Sequence, residues 1–449
     1  MHDMKQDAPI AAIATAPGPA GVCVLRISGD GAFEIADRLV PHAKQPLREC
    51  QGGTFVYADF HHPLTREKID DGLVLVFHAP QSFTGEDVVE FQGHGGALPS
   101  RRLLDAVLAA GARMAEAGEF SRRAFLNGRM DLTQAEAICD FIQAKTERMA
   151  HVARAQLDGA LGSHISRLYD AMTAHCADIE HQLDFDDGEL PDSFVRQTTV
   201  TIQETHAQIE RMIQSWDTNG HLLREGALVV ISGSPNVGKS SLLNALLGHN
   251  RAIVHDAPGT TRDAIEESYA LEGIPLRLVD TAGLRDTADA VEQEGISRAH
   301  RLIQQADVNL YLIDSTTPSA PPPGLDPVRT IIVFTKKDLV APPETDHAVA
   351  VSSKTGDGLD KLGKVILRKL GIGSEQDSTA VVNARHASEL RTAHDATRQA
   401  LDALGTTPCD LVIAANHLRQ AAEALGRIVG RCYADDLLDA VFSRFCVGK

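Results

Sequence analysis

The sequence predicts a multidomain α/β protein, and three observations support this prediction. The chain has 449 residues, more than one compact core usually holds, so we expect two or three domains. Residues 120–222 carry apolar side chains every three or four positions, as long amphipathic helices packed in a bundle do. Residues 224–373 alternate short apolar runs with helical segments, which is typical of a mostly parallel sheet covered by helices.

The first part of the chain, residues 1–119, mixes short β-rich runs with turns and predicts a small α+β domain. A helical stretch at 101–110 follows the last of these runs. The predicted strands are 22–28, 54–60, 73–78 and 87–91.

Helical periodicity appears on both sides of the α/β region, since it stops at the acidic segment 184–190 and returns after residue 380. Gly159 and Gly162 are weak points within the first helical part. We therefore predict an α/β domain inserted into a discontinuous helical domain. Its strands are predicted at 227–232, 276–280, 309–314, 330–335 and 348–352, and the predicted domains are 1–119, 120–222, 223–374 and 375–449.

Composition narrows the class of protein. The net charge of −18 argues against non-specific coating of nucleic acid, so any RNA must meet a local basic patch or come with a partner. The seven cysteines are scattered without a CxxC pair, which favours reduced thiols in a cytoplasm and no structural zinc. No run is long enough for a membrane helix, and Asp3 and Asp7 oppose a secretory signal before residues 8–16.

The strongest motif is Gly233-Ser-Pro-Asn-Val-Gly-Lys-Ser240, which matches G-x-x-x-x-G-K-S between a predicted strand and a helix. Its glycines let backbone N–H groups curl around phosphate oxygens, and the helix N-terminus favours negative charge. Lys239 is expected to reach the β- and γ-phosphates, and Ser240 to ligate Mg²⁺.

A second motif, Asp280-Thr-Ala-Gly283, follows a strand and lies forty residues after Ser240. Asp280 is expected in the magnesium shell, and the N–H of Gly283 is expected to sense the γ-phosphate. Between the two motifs, Gly259-Thr-Thr-Arg-Asp263 offers Thr261 as a further Mg²⁺ ligand.

A third motif, Thr335-Lys-Lys-Asp338, selects the base. The carboxylate of Asp338 can accept two hydrogen bonds from guanine N1 and N2, which adenine cannot donate, so we expect GTP as the substrate. Thr335 stands where Asn is usual, and its hydroxyl can still tie this loop to the phosphate loop. Ser352-Ser-Lys354 supplies the loop expected near guanine O6.

The residue after Asp280-Thr-Ala-Gly283 is Leu284, which cannot orient water as the glutamine of Ras-like enzymes does. Another group must position the attacking water. The acidic residues of this segment are equally open candidates, or simply a solvated face: Asp286, Asp289, Glu292 and Glu294.

These residues carry a family resemblance over essentially the whole chain. The sequence resembles the bacterial tRNA modification GTPases of the MnmE (TrmE) family. The matching segments are GSPNVGKSSLLNALLG, PGTTRDAIEE, DTAGLRDTADAVEQEGI, SFTGEDVVEFQGHGG (82–96), AGEFSRRAFLNGRMDLTQAEA (117–137) and FCVGK (445–449).

The resemblance implies an N-terminal folate-binding domain that dimerises, a discontinuous helical domain and an inserted Ras-like P-loop G domain. It also implies a cytoplasmic homodimer that joins an FAD-containing MnmG-like protein in a heterotetramer. That complex modifies the wobble uridine of certain tRNAs at carbon 5. The one-carbon donor is 5-formyltetrahydrofolate or a related tetrahydrofolate, and the products carry aminomethyl or carboxymethylaminomethyl groups.

The resemblance further implies roles for residues of the G domain. Glu292 corresponds to the general base, Lys239 is catalytic, and Arg285 is either a supporting catalytic residue or a solvated arginine. The implied Mg²⁺ ligands are Ser240 and Thr261. The implied K⁺ ligands are Asn236, His255, Ala257 and Thr260. Besides these, the GTP-binding set comprises Val237, Gly238, Ser241, Asp256, Pro258, Gly259, Asp280, Thr281, Ala282, Gly283, Thr335, Lys336, Lys337, Asp338, Ser352, Ser353 and Lys354.

For the folate, the resemblance implies four residues: Arg26, Glu90, Arg129 and Lys449. A carboxylate can read the donor–acceptor edge of a pterin, and basic residues suit a glutamate tail. Arg129 stands where a lysine is also found. Cys446 falls near this pocket, as a nucleophile or, in the simpler interpretation, a small buried thiol.

Two other functions compete with this hypothesis. A nucleotide-gated scaffold with slow hydrolysis is supported by Leu284. A ribosome-assembly GTPase with a similar G domain predicts a basic RNA-binding appendix, which this acidic sequence does not show.

Overall fold

The computed structural model describes residues 8–185, 192–220, 222, 226–249, 266–280, 301–341, 348–371 and 383–449. These residues form two compact units. The first unit comprises Met1–Cys139 with Val429–Lys449, and the second comprises Asp140–Ile428.

The named elements follow one another along the chain. The strands are β1 (Ile10–Ile13), β2 (Val22–Ser28), β3 (Thr54–His61), β4 (Lys68–Phe77), β5 (Val88–His94), β6 (Arg113–Met114), β7 (Ala227–Gly233), β8 (Glu266–Leu271), β9 (Ile274–Asp280), β10 (Val308–Asp314), β11 (Thr330–Thr335) and β12 (Ala348–Ala350). The helices are α1 (Ala32–Leu39), α2 (Ala97–Ala109), α3 (Glu119–Leu126), α4 (Leu132–Ile142), α5 (Glu147–Leu157), α6 (Ala160–Phe185), α7 (Asp192–Ser215), α8 (Lys239–His249), α9 (Leu359–Lys369), α10 (Ala384–Leu404), α11 (Leu411–Val429) and α12 (Asp435–Phe442).

The first unit is built on a six-stranded sheet in the order β3-β4-β5-β2-β1-β6. Its neighbouring strands are antiparallel, except that β1 and β6 run parallel. Along β2 buried side chains alternate with partly exposed ones, which is the period-2 pattern that predicted the strand. Phe33 of α1 and Leu103 of α2 pack with Phe60 and Phe91 of the sheet in one core.

The four predicted strands of this unit are confirmed, and the helix starts earlier than predicted, at Ala97. Strands β1 and β6 were not predicted, because four and two residues are too few to display an alternating pattern.

The end of the chain packs in the first unit. Phe442 and Phe445 share a small core with Leu132 of α4, and Arg122 donates to Asp439 at 2.8 Å. The sequence grouped 375–449 into one helical segment because the periodicity is continuous there. By contacts, Val429–Lys449 belong to the first unit, and the grouping of 375–449 into one part of the helical domain stays a prediction.

In the second unit, helices from both sides of the α/β region pack against one another. The imidazole of His206 on α7 stacks on His394 of α10 with ring centroids 4.1 Å apart, and its Nδ1 lies 2.8 Å from Oγ1 of Thr397. Cys176 of α6 donates to the carbonyl of Ala415 on α11 at 3.5 Å. The weak point predicted at Gly159 is a break between α5 and α6, where its φ is +86°, whereas Gly162 lies inside α6.

The α/β region has a second six-stranded sheet in the order β12-β11-β10-β7-β9-β8. All its pairings are parallel except that of β8 with β9, so the predicted, mostly parallel sheet is confirmed. The five predicted strands are present, and the antiparallel β8 was missed. Because β7 has β9 on one side and β10 on the other, the strand order reverses at β7. Sheets of this kind bind ligands at the carboxyl end of the strand where the order reverses.

Within the ranges that the structure describes, no helix is long and apolar enough to cross a membrane. All seven cysteines lie in these ranges, and no disulfide joins any two of them.

Candidate functional site

The phosphate-loop motif lies at the carboxyl end of β7. Gly233 has φ +142°, and a Cβ there would lie 2.7 Å from the carbonyl oxygen of Leu312, so the position requires glycine. Asn236 and Gly238 also have positive φ, +61° and +101°, and α8 starts directly afterwards at Lys239. The loop therefore ends on a helix N-terminus, whose free N–H groups and dipole favour an anion.

The ammonium group of Lys239 lies across this loop. The residue is 7% exposed, and its ammonium group donates to the carbonyl oxygens of Gly233 at 3.1 Å and Ser234 at 2.9 Å. A cation held at this position is suited to phosphate oxygens, which can replace the carbonyls as acceptors.

Ser240, in the first turn of α8, contacts the second motif. Its hydroxyl donates to Oδ2 of Asp280, at the end of β9, at 2.6 Å. A hydroxyl and a carboxylate at one point form a set of oxygen donors that fits Mg²⁺, which prefers few protein ligands together with phosphate oxygens.

Thr335, at the end of β11, joins the base-reading motif to the phosphate loop. Its side chain is buried, and its hydroxyl lies 2.7 Å from the carbonyl oxygen of Val237 and 3.3 Å from that of Ile313. The expectation that a hydroxyl can replace the usual asparagine in this tie is confirmed.

Asp338 is exposed three residues beyond Thr335, where a base can reach it. The hydroxyl of Ser352 donates to its Oδ1 at 2.7 Å, and this bond lowers the pKa of the Asp338 carboxyl. The carboxyl is therefore ionised at neutral pH, as an acceptor of two guanine N–H groups must be. The Lys336 backbone has φ +58°, and its ammonium group bonds Asp314 at 2.6 Å.

The other predicted GTP-site residues divide into two groups. Ser241 is exposed on α8, Lys337 pairs with Asp357 at 2.7 Å, and Ser353 and Lys354 form the turn after Ser352. Residues predicted on the two switch segments lie outside the described residues: His255, Asp256, Ala257, Pro258, Gly259, Thr260, Thr261, Thr281, Ala282, Gly283, Arg285 and Glu292.

Two of the residues predicted to bind folate lie on the sheet of the first unit. Arg26 of β2 and Glu90 of β5 are direct neighbours in the strand register. The Arg26 Nε donates to Oε1 of Glu90 at 2.8 Å, and both side chains are 14% exposed. Such a half-buried pair leaves further N–H groups and a carboxylate oxygen for a ligand.

Lys449 lies near this pair. Burial first, and then the charge of Arg26, lower the pKa of its ammonium group, while Glu90 acts in the opposite direction. Arg129 is exposed and lies against Gly85, where a side chain would have its Cβ 3.1 Å from the Arg129 Cγ. Cys446 is exposed, so its interpretation as a buried thiol is wrong, because the last turn of the chain leaves its side chain on the surface.

Sequence reasoning missed two residues beside Arg26 in the predicted folate site. The ring centroids of Phe83 and Phe120 lie 5.0 Å and 5.6 Å from the Arg26 guanidinium carbon. Both residues lie in segments that carry the family resemblance, but the sequence does not show that they contact Arg26, because the contact joins positions far apart in the chain.

The fold and the first site define a P-loop GTP-binding protein. The family description "MnmE helical domain" matches residues 132–446, and "GTP-binding protein TrmE N-terminus" matches residues 9–129. The chain belongs to the MnmE family.

Curated relatives cover the chain almost end to end. The tRNA modification GTPase MnmE of Thermus thermophilus is 42% identical over 98% of this chain and 99% of its own length. The proteins of the same name from Geobacter metallireducens and Azoarcus sp. are 40% and 42% identical over 98% of this chain, and over 99% and 98% of their own lengths. Among solved structures, the G domain of the T. maritima FeoB iron transporter is 26% identical, covers 32% of this chain and 98% of its own, and has a TM-score of 0.23.

Proposed function

We propose that this chain is a potassium-activated GTPase that regulates folate-dependent modification of the tRNA wobble uridine. As a member of the MnmE family it hydrolyses GTP to GDP and phosphate in tRNA modification. The finer proposal adds K⁺ activation, a tetrahydrofolate one-carbon donor and an FAD-containing MnmG-like partner. In this complex the product is a 5-(carboxymethyl)aminomethyl group on the uridine.

One contact carries the proposal for the nucleotide site: the Thr335 hydroxyl against the carbonyl of Val237 at 2.7 Å. It couples the loop that holds Asp338 to the loop that holds Lys239 and Ser240. The base reader and the phosphate binders therefore form one site, at the carboxyl end of β7.

Hydrolysis requires a group that activates water, because Leu284 has no polar side chain. In the proposal, the carboxylate of Glu292 accepts the proton of the attacking water, and Arg285 supports it. Lys239 stays on the phosphates, while Ser240 and Thr261 hold Mg²⁺.

Potassium activation is proposed through Asn236, with His255, Ala257 and Thr260 as its further ligands. The Asn236 backbone has φ +61°, and its exposed side chain lies in the phosphate loop, where an amide oxygen suits a monovalent cation. When bound, K⁺ supplies positive charge beside the β- and γ-phosphates, which stabilises the charge that develops during hydrolysis.

The proposed folate residues provide the polarity that a tetrahydrofolate needs. Glu90 can accept from the pterin N–H groups, while Arg26, Arg129 and Lys449 supply positive charge for carbonyl and carboxylate oxygens. The proposed assembly is a cytoplasmic homodimer that forms a heterotetramer with the FAD protein and acts on tRNA.

Changing Glu292 tests the proposed hydrolytic step. Glu292→Ala is expected to abolish turnover while GTP still binds, because only the proton acceptor is removed. Asp289→Ala and Glu294→Ala are the matched controls from the same acidic segment, and they are expected to keep turnover. Wild-type hydrolysis by Glu292→Ala, or its loss in a control variant, contradicts the assignment.

The biological role is tested by mass spectrometry of tRNA nucleosides. A deletion strain is expected to lack the wobble modification, and the wild-type gene to restore it, whereas Glu292→Ala does not. An unchanged wobble uridine in the deletion strain overturns the proposed pathway and leaves the GTPase activity intact.

A further inference from the structure

The Arg26 guanidinium has an unusual environment for a charged group. Two phenylalanine rings, Phe83 and Phe120, lie within cation–π distance of it, at 5.0 Å and 5.6 Å. Its Nε is bonded to Glu90 at 2.8 Å. We call Phe83, Phe120 and Glu90 the Arg26 cradle. The rings restrict the plane of the guanidinium, and the bond to Glu90 restricts its rotation within that plane.

The opposite edge of the guanidinium has an unused donor. The Arg26 Nη1 is buried and, among the residues that the structure describes, has no hydrogen-bond partner. A buried donor without a partner is destabilising, and more so when it is charged. A ligand that places an oxygen acceptor against Nη1 recovers this energy. The cradle thus orients a donor that the protein itself does not satisfy.

Phe120 is held firmly on one side of the cradle. It is fully buried at the beginning of α3 and packs in a small core with Ile10 and Ala12 of β1 and with Phe83. The ring therefore has no alternative position open to it without disturbing that core.

Phe83 is held through its loop. The next residue, Thr84, shares a 2.6 Å hydrogen bond with the Ser28 hydroxyl, and that hydroxyl lies 2.7 Å from the carboxylate of Glu86. Arg123 donates to the same carboxylate at 3.2 Å. These polar side chains fix the loop directly after Phe83, so the partly exposed ring keeps its place on Arg26.

We propose that Phe83 and Phe120 are positioning residues that hold the Arg26 Nη1 against an oxygen acceptor of the bound tetrahydrofolate. This inference rests on the proposed folate site and identifies the residues that set its affinity. The acceptor is either the pterin carbonyl oxygen or a carboxylate oxygen of the glutamate tail, both of which a guanidinium recognises. Lysine cannot take the place of Arg26, because an ammonium group has no planar face to stack on the rings.

The first test is calorimetric titration of the full chain with 5-formyltetrahydrofolate. Phe83→Leu and Phe120→Leu are each expected to weaken binding about tenfold, the equivalent of a partly desolvated cation–π contact. Phe83→Tyr keeps an aromatic face and is expected to bind within about twofold of wild type. Arg26→Lys is expected to lose more affinity for 5-formyltetrahydrofolate than either leucine variant.

Phe33→Leu is the matched control for a general loss of stability. Phe33 is also a buried phenylalanine of the first unit, and it lies 5.7 Å from the guanidinium carbon of Arg48, in a different core cluster. It is expected to keep folate affinity. Wild-type affinity in Phe83→Leu and Phe120→Leu, or an equal loss in Phe33→Leu, refutes the cradle.

A pterin without the glutamate tail locates the acceptor. If Phe83→Leu weakens the truncated ligand as much as the complete one, the acceptor is the pterin carbonyl. If only the complete ligand is affected, the acceptor is a carboxylate of the tail. Both results support the cradle.

The second test needs no ligand and separates the cradle from the proposed function. In protein labelled with ¹⁵N-arginine, the Arg26 Nε–H signal is assigned by its absence in Arg26→Lys. Its ring-current shift is expected to change in Phe83→Leu and not in Phe33→Leu. An unchanged signal in Phe83→Leu refutes the cradle. If the signal responds but the wild type binds no folate, the folate proposal fails and the cradle stands.

Discussion

The hydroxyl of Ser240 donates to the carboxylate of Asp280 at 2.6 Å, so the first turn of α8 and the end of β9 meet at one point. Two motifs that are forty residues apart in the sequence thus contribute to one set of oxygen donors. Ser240 and Asp280 would hold a Mg²⁺ ion, which would supply positive charge to the phosphates of a bound nucleotide.

Removing the Ser240 hydroxyl is expected to weaken magnesium binding. Ser240→Ala leaves Asp280 without this donor partner and deletes one oxygen ligand, so we expect about a 10- to 100-fold higher Mg²⁺ requirement for hydrolysis. The measurement is the GTPase rate as a function of Mg²⁺ concentration. Asn244→Ala, on an exposed position of the same helix, serves as the control. An unchanged Mg²⁺ requirement in Ser240→Ala contradicts the assignment.

Thr335 is expected to contribute to nucleotide affinity through its hydroxyl. Thr335→Val keeps the shape of the side chain but leaves the buried carbonyl of Val237 without this donor, so GDP binding is expected to fall about tenfold. Thr335→Ser retains the hydroxyl and should bind within about twofold of wild type. Titration with a fluorescent GDP analogue measures both variants. Equal affinities of the valine and serine variants rule out this role.

The potassium proposal can be tested at Asn236 with a substitution that does not change the backbone conformation. Because the φ of Asn236 is +61°, Asn236→Gly keeps the loop conformation while it removes the side chain with its amide, whereas alanine adds strain. Wild type is expected to hydrolyse GTP faster in K⁺ than in Na⁺, and Asn236→Gly at the same rate in both. Asn236→Asp retains an oxygen ligand and is the control. Persistent K⁺ stimulation in the glycine variant excludes Asn236 as a ligand.

Lys449 predicts a pH dependence of folate binding. Burial lowers the pKa of its ammonium group below the ordinary value of about 10.4, so the charge is lost at a lower pH than in a free lysine. Affinity for an anionic folate is therefore expected to be highest below that lowered pKa and to fall as pH rises through it. Lys449→Arg stays charged throughout and should give a flat profile. Titrations with 5-formyltetrahydrofolate in alkaline buffers compare the two proteins, and parallel profiles contradict the prediction.

The sequence was sufficient where function depends on neighbours along the chain. The spacing from Gly233 to Ser240 and the buried run of β7 predicted the phosphate loop, because a short glycine-rich turn between a strand and a helix has few conformations. Thr335 was predicted to tie two loops, because a hydroxyl can replace the hydrogen bond of an amide.

The sequence was insufficient for contacts that join segments far apart in the chain. The stacking of Phe83 and Phe120 on Arg26 depends on the register of β2 with β5 and on the position of α3. The packing of Phe445 near Leu132 likewise requires the fold, since periodicity identifies an apolar face without its partner. The short strand β1 gave no signal, because its four residues are uniformly apolar.

The stacked pair His206 and His394 has a consequence for how the protein can be divided. Asp217, beyond the end of α7, pairs with Arg391 near the beginning of α10, so these helices run in opposite directions. The chain therefore leaves the bundle and re-enters it at neighbouring points. A short Gly/Ser linker that joins these two points should give a shortened protein whose helices still assemble without the GTPase region. The α/β region would then be a domain that can be removed from the bundle without breaking it.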